Sequence, residues 1–180
     1  NNEGYVRSDN GQSDAGLTTL FDQPGLLDGA HGFLPNDRRH TIKVFGAYQF
    51  ADEWRASGNV LWQTGRPINC FGNHPTDAFA AEYGSEAFYC GGVLTPRGTA
   101  GRTRQMFSLD LGLQYRPNWA QDRLAIGVDV FNVLDNSAEL EVNEIGEFDF
   151  DPDSYPLSTW GVPTTFQAPR EVRFSVSYDF

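Results

Sequence analysis

The sequence contains two cysteines, Cys70 and Cys90, in one stretch rich in Gly, Pro and Asn. If that stretch is extracellular, its compartment is oxidising, and a disulfide between the two cysteines would staple it. Two unpaired thiols or a metal pair are the alternatives, and only His74 lies close enough in sequence to be a third ligand. We expect a Cys70–Cys90 disulfide.

Acidic residues are concentrated between Leu124 and Pro169, a region without Lys or Arg. They are Asp129, Asp135, Glu139, Glu141, Glu144, Glu147, Asp149, Asp151 and Asp153. The last three alternate as at the start of a calcium-binding loop, but Ser154 stands in place of the required Gly and Trp160 in place of the bidentate Glu. The pattern therefore favours a solvated acidic loop over a calcium site, and we predict no metal site.

No catalytic constellation is present in the sequence. His31, His40 and His74 lack the i, i+4 spacing of a helical metal pair, and neither a nucleophile elbow nor a phosphate loop occurs. Carboxylates without burial have no physical reason for a raised pKa. The net charge of −11 disfavours nucleic acid, because binding a polyanion requires clustered Lys and Arg. We predict no enzyme and no cofactor.

Alternation of apolar and polar residues, the period of a β-strand, occurs in five segments. They span residues 38–50, 54–64, 105–116, 123–134 and 170–180. In the last, Arg170–Phe180, one face carries Val172, Phe174, Val176, Tyr178 and Phe180. Each of these strands therefore has one apolar and one polar face.

The connections between these strands alternate in length. Ala51–Glu53 and Pro117–Asp122 are short, whereas 1–37, 65–104 and 135–169 are long. Outer-membrane barrels have short periplasmic turns and long external loops, and compact soluble domains rarely contain such long loops. No run of about 18 apolar residues is present, which excludes a transmembrane helix.

These patterns predict an all-β, antiparallel up-and-down meander that is the C-terminal segment of a transmembrane β-barrel with long extracellular loops. Aromatic residues would form an interfacial belt near the short turns. They are Phe50, Trp54, Tyr115, Trp119 and Phe180. A soluble β-sandwich has the same periodicity and remains the alternative.

Two segments resemble a known family. Phe131–Asn136 reads FNVLDN, and Gly16–His40 contains GLTTLFDQPGLLDG followed by LPNDRRH. Together with the aromatic last strand, they resemble the end of the barrel in TonB-dependent outer-membrane receptors of the Oar-like branch. The resemblance covers essentially the whole chain, 1–180, as the last quarter or less of such a receptor. It implies that FNVLDN closes the penultimate strand and that the plug domain and the TonB-contacting box are absent from this sequence.

The resemblance also implies an assembly signal and partners. Arg173, Tyr178 and Phe180 match the signal at the end of outer-membrane barrels, while Ser175 stands where Gly is expected. The implied function is energy-coupled uptake or binding of an unidentified extracellular ligand, captured by loops 65–104 and 135–169, in the outer membrane of a Gram-negative cell. The implied partners are outer-membrane lipid, the barrel-assembly machinery, and TonB through the plug. A soluble secreted or periplasmic β-domain that binds a partner through its long acidic loops is the alternative.

Overall fold

The computed structural model describes residues 24–77, 87–121, 123–147 and 155–180. The chain divides into two compact units. The loop unit comprises Asn1–Arg38, Gly65–Arg104 and Glu139–Thr165, and the sheet unit comprises Arg39–Thr64, Gln105–Ala138 and Phe166–Phe180. Within the described residues, no helix is long and apolar enough to cross a membrane.

The described part of the chain forms nine strands. In chain order they are β1 (Thr41–Ala51), β2 (Trp54–Gln63), β3 (Tyr89–Cys90), β4 (Val93–Leu94), β5 (Met106–Tyr115), β6 (Leu124–Phe131), β7 (Glu139–Val142), β8 (Pro163–Phe166) and β9 (Glu171–Tyr178). Short 3-10 turns occupy Pro24–Leu27 and Asn118–Ala120. The five long strands form one antiparallel sheet in the order β1-β2-β5-β6-β9, so the sheet is open and β1 and β9 are its edges.

The strand register aligns apolar side chains across one face of this sheet, which we call the apolar face. One row of it contains Tyr48, Ala56, Leu113, Val128 and Phe174. Much of this face is exposed: Tyr48 is 72% and Phe174 is 77% exposed. The alternation therefore does not mark the inner face of a packed sandwich within the sheet unit.

The opposite, polar face carries small and charged side chains. One row contains Ala47, Ser57, Gly112, Asp129 and Arg173. Phe45 is an exception, because it lies on the polar face in register with Asn59 and is 81% exposed. A sheet with one apolar and one polar face, both open, suits a wall between lipid and a water-filled interior.

The short turns and the aromatic residues lie at one end of the sheet. Asp52 and Glu53 connect β1 to β2, and the backbone N–H of Asn118, in the turn after β5, donates to Glu53 Oε1 at 2.6 Å. The ring centroids of Trp54 and Tyr115 are 4.6 Å apart, and Trp119 is 76% exposed. Asp122, the last residue of the second predicted turn, lies outside the described residues.

The long connections contain structure that the sequence pattern did not predict. β3 pairs with β4 through Gly91 and Gly92, whose φ angles of 57° and 71° suit a two-residue hairpin turn. β7 pairs with β8 as a second small sheet. The described parts of the long connections thus contain four short strands.

The buried core of the described chain is also in the loop unit. Among the described residues, those that are buried lie in this unit, with the exceptions of Pro117 and Asn132. Its apolar centre is a cluster of Ala30, Phe71 and Phe88 against which Ile145 packs. The ring centroids of Phe71 and Phe88 are 5.3 Å apart. The loop unit is therefore a folded body.

Candidate functional site

Glu144 joins two of the long connections in the loop unit. Its Oε1 accepts hydrogen bonds from Arg66 Nη1 at 2.9 Å and from the backbone N–H of Asn69 at 3.2 Å, and its Oε2 accepts one from Asn69 Nδ2 at 3.2 Å. The side chains of Arg66 and Glu144 are 1% and 3% exposed. Removing one partner of such a buried pair leaves an uncompensated buried charge, so these connections are held in one arrangement.

Glu147, three residues after Glu144, links the same two long connections a second time. Its carboxylate accepts hydrogen bonds from the backbone N–H of Asn73 at 3.0 Å and from the backbone N–H of Gly91, and the residue is 8% exposed. We call Glu144 and Glu147 the carboxylate clamp. The prediction of a solvated acidic loop is wrong for both residues, and so is the premise that the loop carboxylates are unburied. Asp149, Asp151 and Asp153 lie outside the described residues.

The two cysteines form a disulfide, with their Cα atoms 5.9 Å apart. Cys70 is 2% and Cys90 is 6% exposed. A Cβ atom on Gly146 would lie 2.5 Å from Cys70 Sγ and 3.3 Å from Cys90 Sγ, so the backbone of Gly146 covers the bond. The metal-pair alternative is therefore not found, and no described group of three or more His, Cys, Asp or Glu residues is placed to hold a metal ion.

His74 contributes to a hydrogen-bonded cluster. Its Nδ1 accepts from the backbone N–H of Asp77 at 2.9 Å, so the ring proton lies on Nε2, which donates to Asp28 Oδ2 at 3.3 Å. The Tyr89 hydroxyl donates to the same oxygen at 3.5 Å. Burial, followed by the charge of Asp28 and this hydrogen bond, raises the pKa of Tyr89. The cluster ties the segment around Asp28 to the connection that carries the disulfide.

Arg97 is fully buried in the loop unit. Its guanidinium lies 5.1 Å from the ring centroid of Phe88, and burial lowers the pKa of Arg97. With Arg66 it gives the unit two buried guanidiniums, which sequence reasoning missed. The only local signal was an arginine within each of two Gly- and Pro-rich stretches.

The polar face of the sheet carries paired charges. Arg173 Nη2 lies 3.1 Å from Asp129 Oδ2 across β6 and β9. Asp110 accepts hydrogen bonds from Asn59 Nδ2 at 2.9 Å and from Ser108 Oγ at 3.0 Å. A cavity of about 240 Å³ on this face is lined by Ala47, Arg55, Ser57, Gln114, Gly127, Asp129 and Ser175, and it is also bordered by Leu113 of the apolar face. This face can contact water or polar groups, and no catalytic arrangement is visible among its described residues.

FNVLDN forms a polar corner where β6 ends. β6 ends at Phe131, within FNVLDN, three residues before the predicted end of the strand at residue 134, because Asn132 takes a left-handed φ of 46° and the chain turns. Asn132 Nδ2 donates to the backbone oxygens of Asn136 and Ala168, both at 2.8 Å, and its backbone N–H donates to Asp110 Oδ1. Asn132 is 4% exposed, and its side-chain amide satisfies two backbone carbonyls at this turn.

The predicted assembly residues lie on both faces of β9. Tyr178 is the last strand residue, and its ring contacts the ring of Phe180 edge-on at 5.3 Å between centroids. Arg173 lies on the polar face, and Ser175 pairs with Gly127. Phe180 is fully exposed. The structure thus brings Tyr178 and Phe180 together but does not bring Arg173 to them.

An open antiparallel sheet with an exposed apolar face, a polar face, short turns at one end and long connections at the other has the architecture of an outer-membrane transporter barrel wall. The solved structure of the outer-membrane transporter YddB from Escherichia coli matches this architecture with a TM-score of 0.52 at 18% identity, over 78% of this chain and 15% of that chain. This likeness concerns the fold.

The sequence is similar to the TonB-dependent transporter Oar of Myxococcus xanthus. The two are 31% identical over 219 aligned positions, which cover all of this chain and 20% of the relative. No family model matches the chain. The predicted resemblance to TonB-dependent receptors, the antiparallel barrel-wall architecture and the outer-membrane location are confirmed by these matches, and these relatives are transporters rather than enzymes. The chain spans about one fifth of the length of its curated relative.

Proposed function

We propose that this chain forms part of the barrel wall and the external loop cap of a TonB-dependent transporter that takes up or binds an extracellular ligand. One observation carries the proposal: the sheet exposes a continuous apolar face on one side and a polar face with paired charges on the other. Lipid covers the apolar face, and the polar face lines the interior.

The loop unit supports ligand capture as its part in this function. Its core, its disulfide and its carboxylate clamp hold the long connections in one conformation, so its surface is preorganised. The ligand contacts come from residues 65–104 and 135–169, and energy coupling by TonB acts through a plug. The barrel-assembly machinery recognises the end of β9 through Tyr178 and Phe180, with Arg173 on the other face.

Membrane extraction of the full-length protein tests this function. Outer membranes are washed with carbonate and urea and then extracted with detergent, and we expect the protein to leave the membrane only with detergent. Release by the washes as a monomer that stays soluble without detergent would refute the barrel wall and favour a secreted β-domain. Ligand uptake is then compared in cells with and without TonB, and equal uptake would refute energy coupling.

A further inference from the structure

The disulfide is closed off by a segment from a different connection. Cys70 and Cys90 both belong to the second long connection, whereas Gly146, whose backbone covers both sulfur atoms, belongs to the third. The two cysteines are almost fully buried. A reagent that approaches either sulfur from the Gly146 side therefore meets backbone.

Backbone and side-chain hydrogen bonds fasten the covering segment. The N–H of Phe71 donates to the carbonyl of Glu144 at 2.8 Å, and the N–H of Gly146 donates to the carbonyl of Phe71 at 2.7 Å. The carboxylate clamp adds the bonds of Glu144 and Glu147 on either side of Gly146. Opening the cover requires breaking this set together.

Thiol–disulfide exchange proceeds through a mixed disulfide, in which a second molecule is bonded to one of the two sulfurs. The space over Cys70 Sγ does not admit even a methyl group at Gly146, so it does not admit a second sulfur with its chain. Exchange at this pair therefore requires the covering segment to be away from the cysteines.

We propose that the Cys70–Cys90 disulfide forms by exchange with the disulfide of an oxidant protein before residues 144–147 dock, and that docking then seals it. The two thiols lose two protons and two electrons in forming the S–S bond, and the oxidant's disulfide is reduced to a dithiol. This inference rests on the proposed function in one respect only, namely that the chain enters an oxidising compartment. The hydrogen bonds of the carboxylate clamp then keep the covering segment over the disulfide once it has formed.

Native-state reduction tests the seal. Full-length protein in isolated membranes is incubated with dithiothreitol, and free thiols are counted by the gel shift from a maleimide-linked polymer. We expect Glu147→Gln to speed reduction at least about tenfold, because a hydrogen bond to a charged group contributes more than the free energy equivalent to one decade. Glu139→Gln is the matched control, since the carboxylate of Glu139 makes no hydrogen bond to the part of the chain that the structure describes, and this variant should be reduced like the wild type.

Two results of this experiment would overturn the seal. One is a wild-type disulfide that is reduced as fast in the native protein as in urea. The other is an equal reduction rate in the wild type and in both variants.

Pulse-labelling tests the order of events. In Gly146→Val the segment cannot dock, because the added carbon atoms collide with the disulfide. We expect the labelled variant to become oxidised in cells at the wild-type rate and to remain open to reduction afterwards. Accumulation of Gly146→Val with free thiols would show that docking precedes oxidation and would refute the order. This readout is valid even if the variant fails to assemble, since oxidation is scored on the newly made chain.

Discussion

A charge placed on the apolar face of the sheet should destabilise the protein, whereas the same charge on the polar face should not. Ala56 and Ser57 are neighbours in β2, are similar in size and point to opposite faces. Ala56 lies in register with Tyr48 and Leu113, and it is the second of the five β2 residues on the apolar face counted from the short turn. Ser57 lies in register with Ala47 and Gly112.

The magnitude follows from depth in the bilayer. An arginine on the lipid face costs about 2–4 kcal/mol at the midplane and about 0–1 kcal/mol near the interface, so Ala56→Arg should cost about 2 kcal/mol. Because Ala56 is small, its loss adds little cavity or transfer energy. At Ser57 the arginine would meet water, with Asp129 next in the row beyond Gly112. Ser57→Arg should therefore change stability by no more than about 0.5 kcal/mol.

The assay is urea unfolding of the full-length protein in phospholipid vesicles, followed by tryptophan fluorescence. A midpoint that falls for Ala56→Arg and stays in place for Ser57→Arg is the expected result. Equal loss in the two variants, or a greater loss for Ser57→Arg, would refute the assignment of the apolar face to lipid. The comparison is informative because Ala56 and Ser57 share one depth, one strand and nearly one size.

Four further predictions concern the orientation of the sheet, the turn at Asn132, the disulfide and the C-terminal residue. A cysteine at Asn118 should not react with an impermeant thiol reagent on intact cells, because short turns are periplasmic in outer-membrane barrels and the proposed barrel wall places Asn118 in one of them; labelling would reverse the orientation. Asn132→Ala should lower the free energy of unfolding by about 1–3 kcal/mol, since its loss leaves buried backbone groups unsatisfied; an unchanged urea midpoint would contradict this. Replacing Cys70 and Cys90 by serine removes a loop closure of about twenty residues that contributes roughly 3 kcal/mol in the chain-entropy model; proteolysis of the loop unit at the wild-type rate would argue against it. Deleting Phe180 from the full-length protein should lower the amount of protein in the outer membrane, while the protein that does assemble should keep nearly the wild-type stability. Normal membrane levels would exclude the assembly role.

Local periodicity determined the sheet, because a strand with one apolar and one polar face must alternate at every second residue. The five long strands begin and end within about three residues of the segments that alternation predicts. The pairing of the cysteines was predictable for a different reason: both lie in one long connection, and the sequence contains no third cysteine. The end of β6 was misplaced by three residues, because the left-handed turn at Asn132 depends on partners such as Ala168, which is distant in sequence.

Only the tertiary structure decided what the long connections do. Glu144 and Glu147 have the local sequence of a solvated acidic loop, yet they are buried because Arg66 and the backbone N–H groups near the disulfide, more than fifty residues away, satisfy their charge. A buried carboxylate is stable only with such partners. These partners are so far from Glu144 and Glu147 along the chain that the contacts produce no periodic pattern in the local sequence. The alternating strands were therefore determined by the sequence itself, while the folded loop unit around the disulfide depends on contacts that exist only in three dimensions.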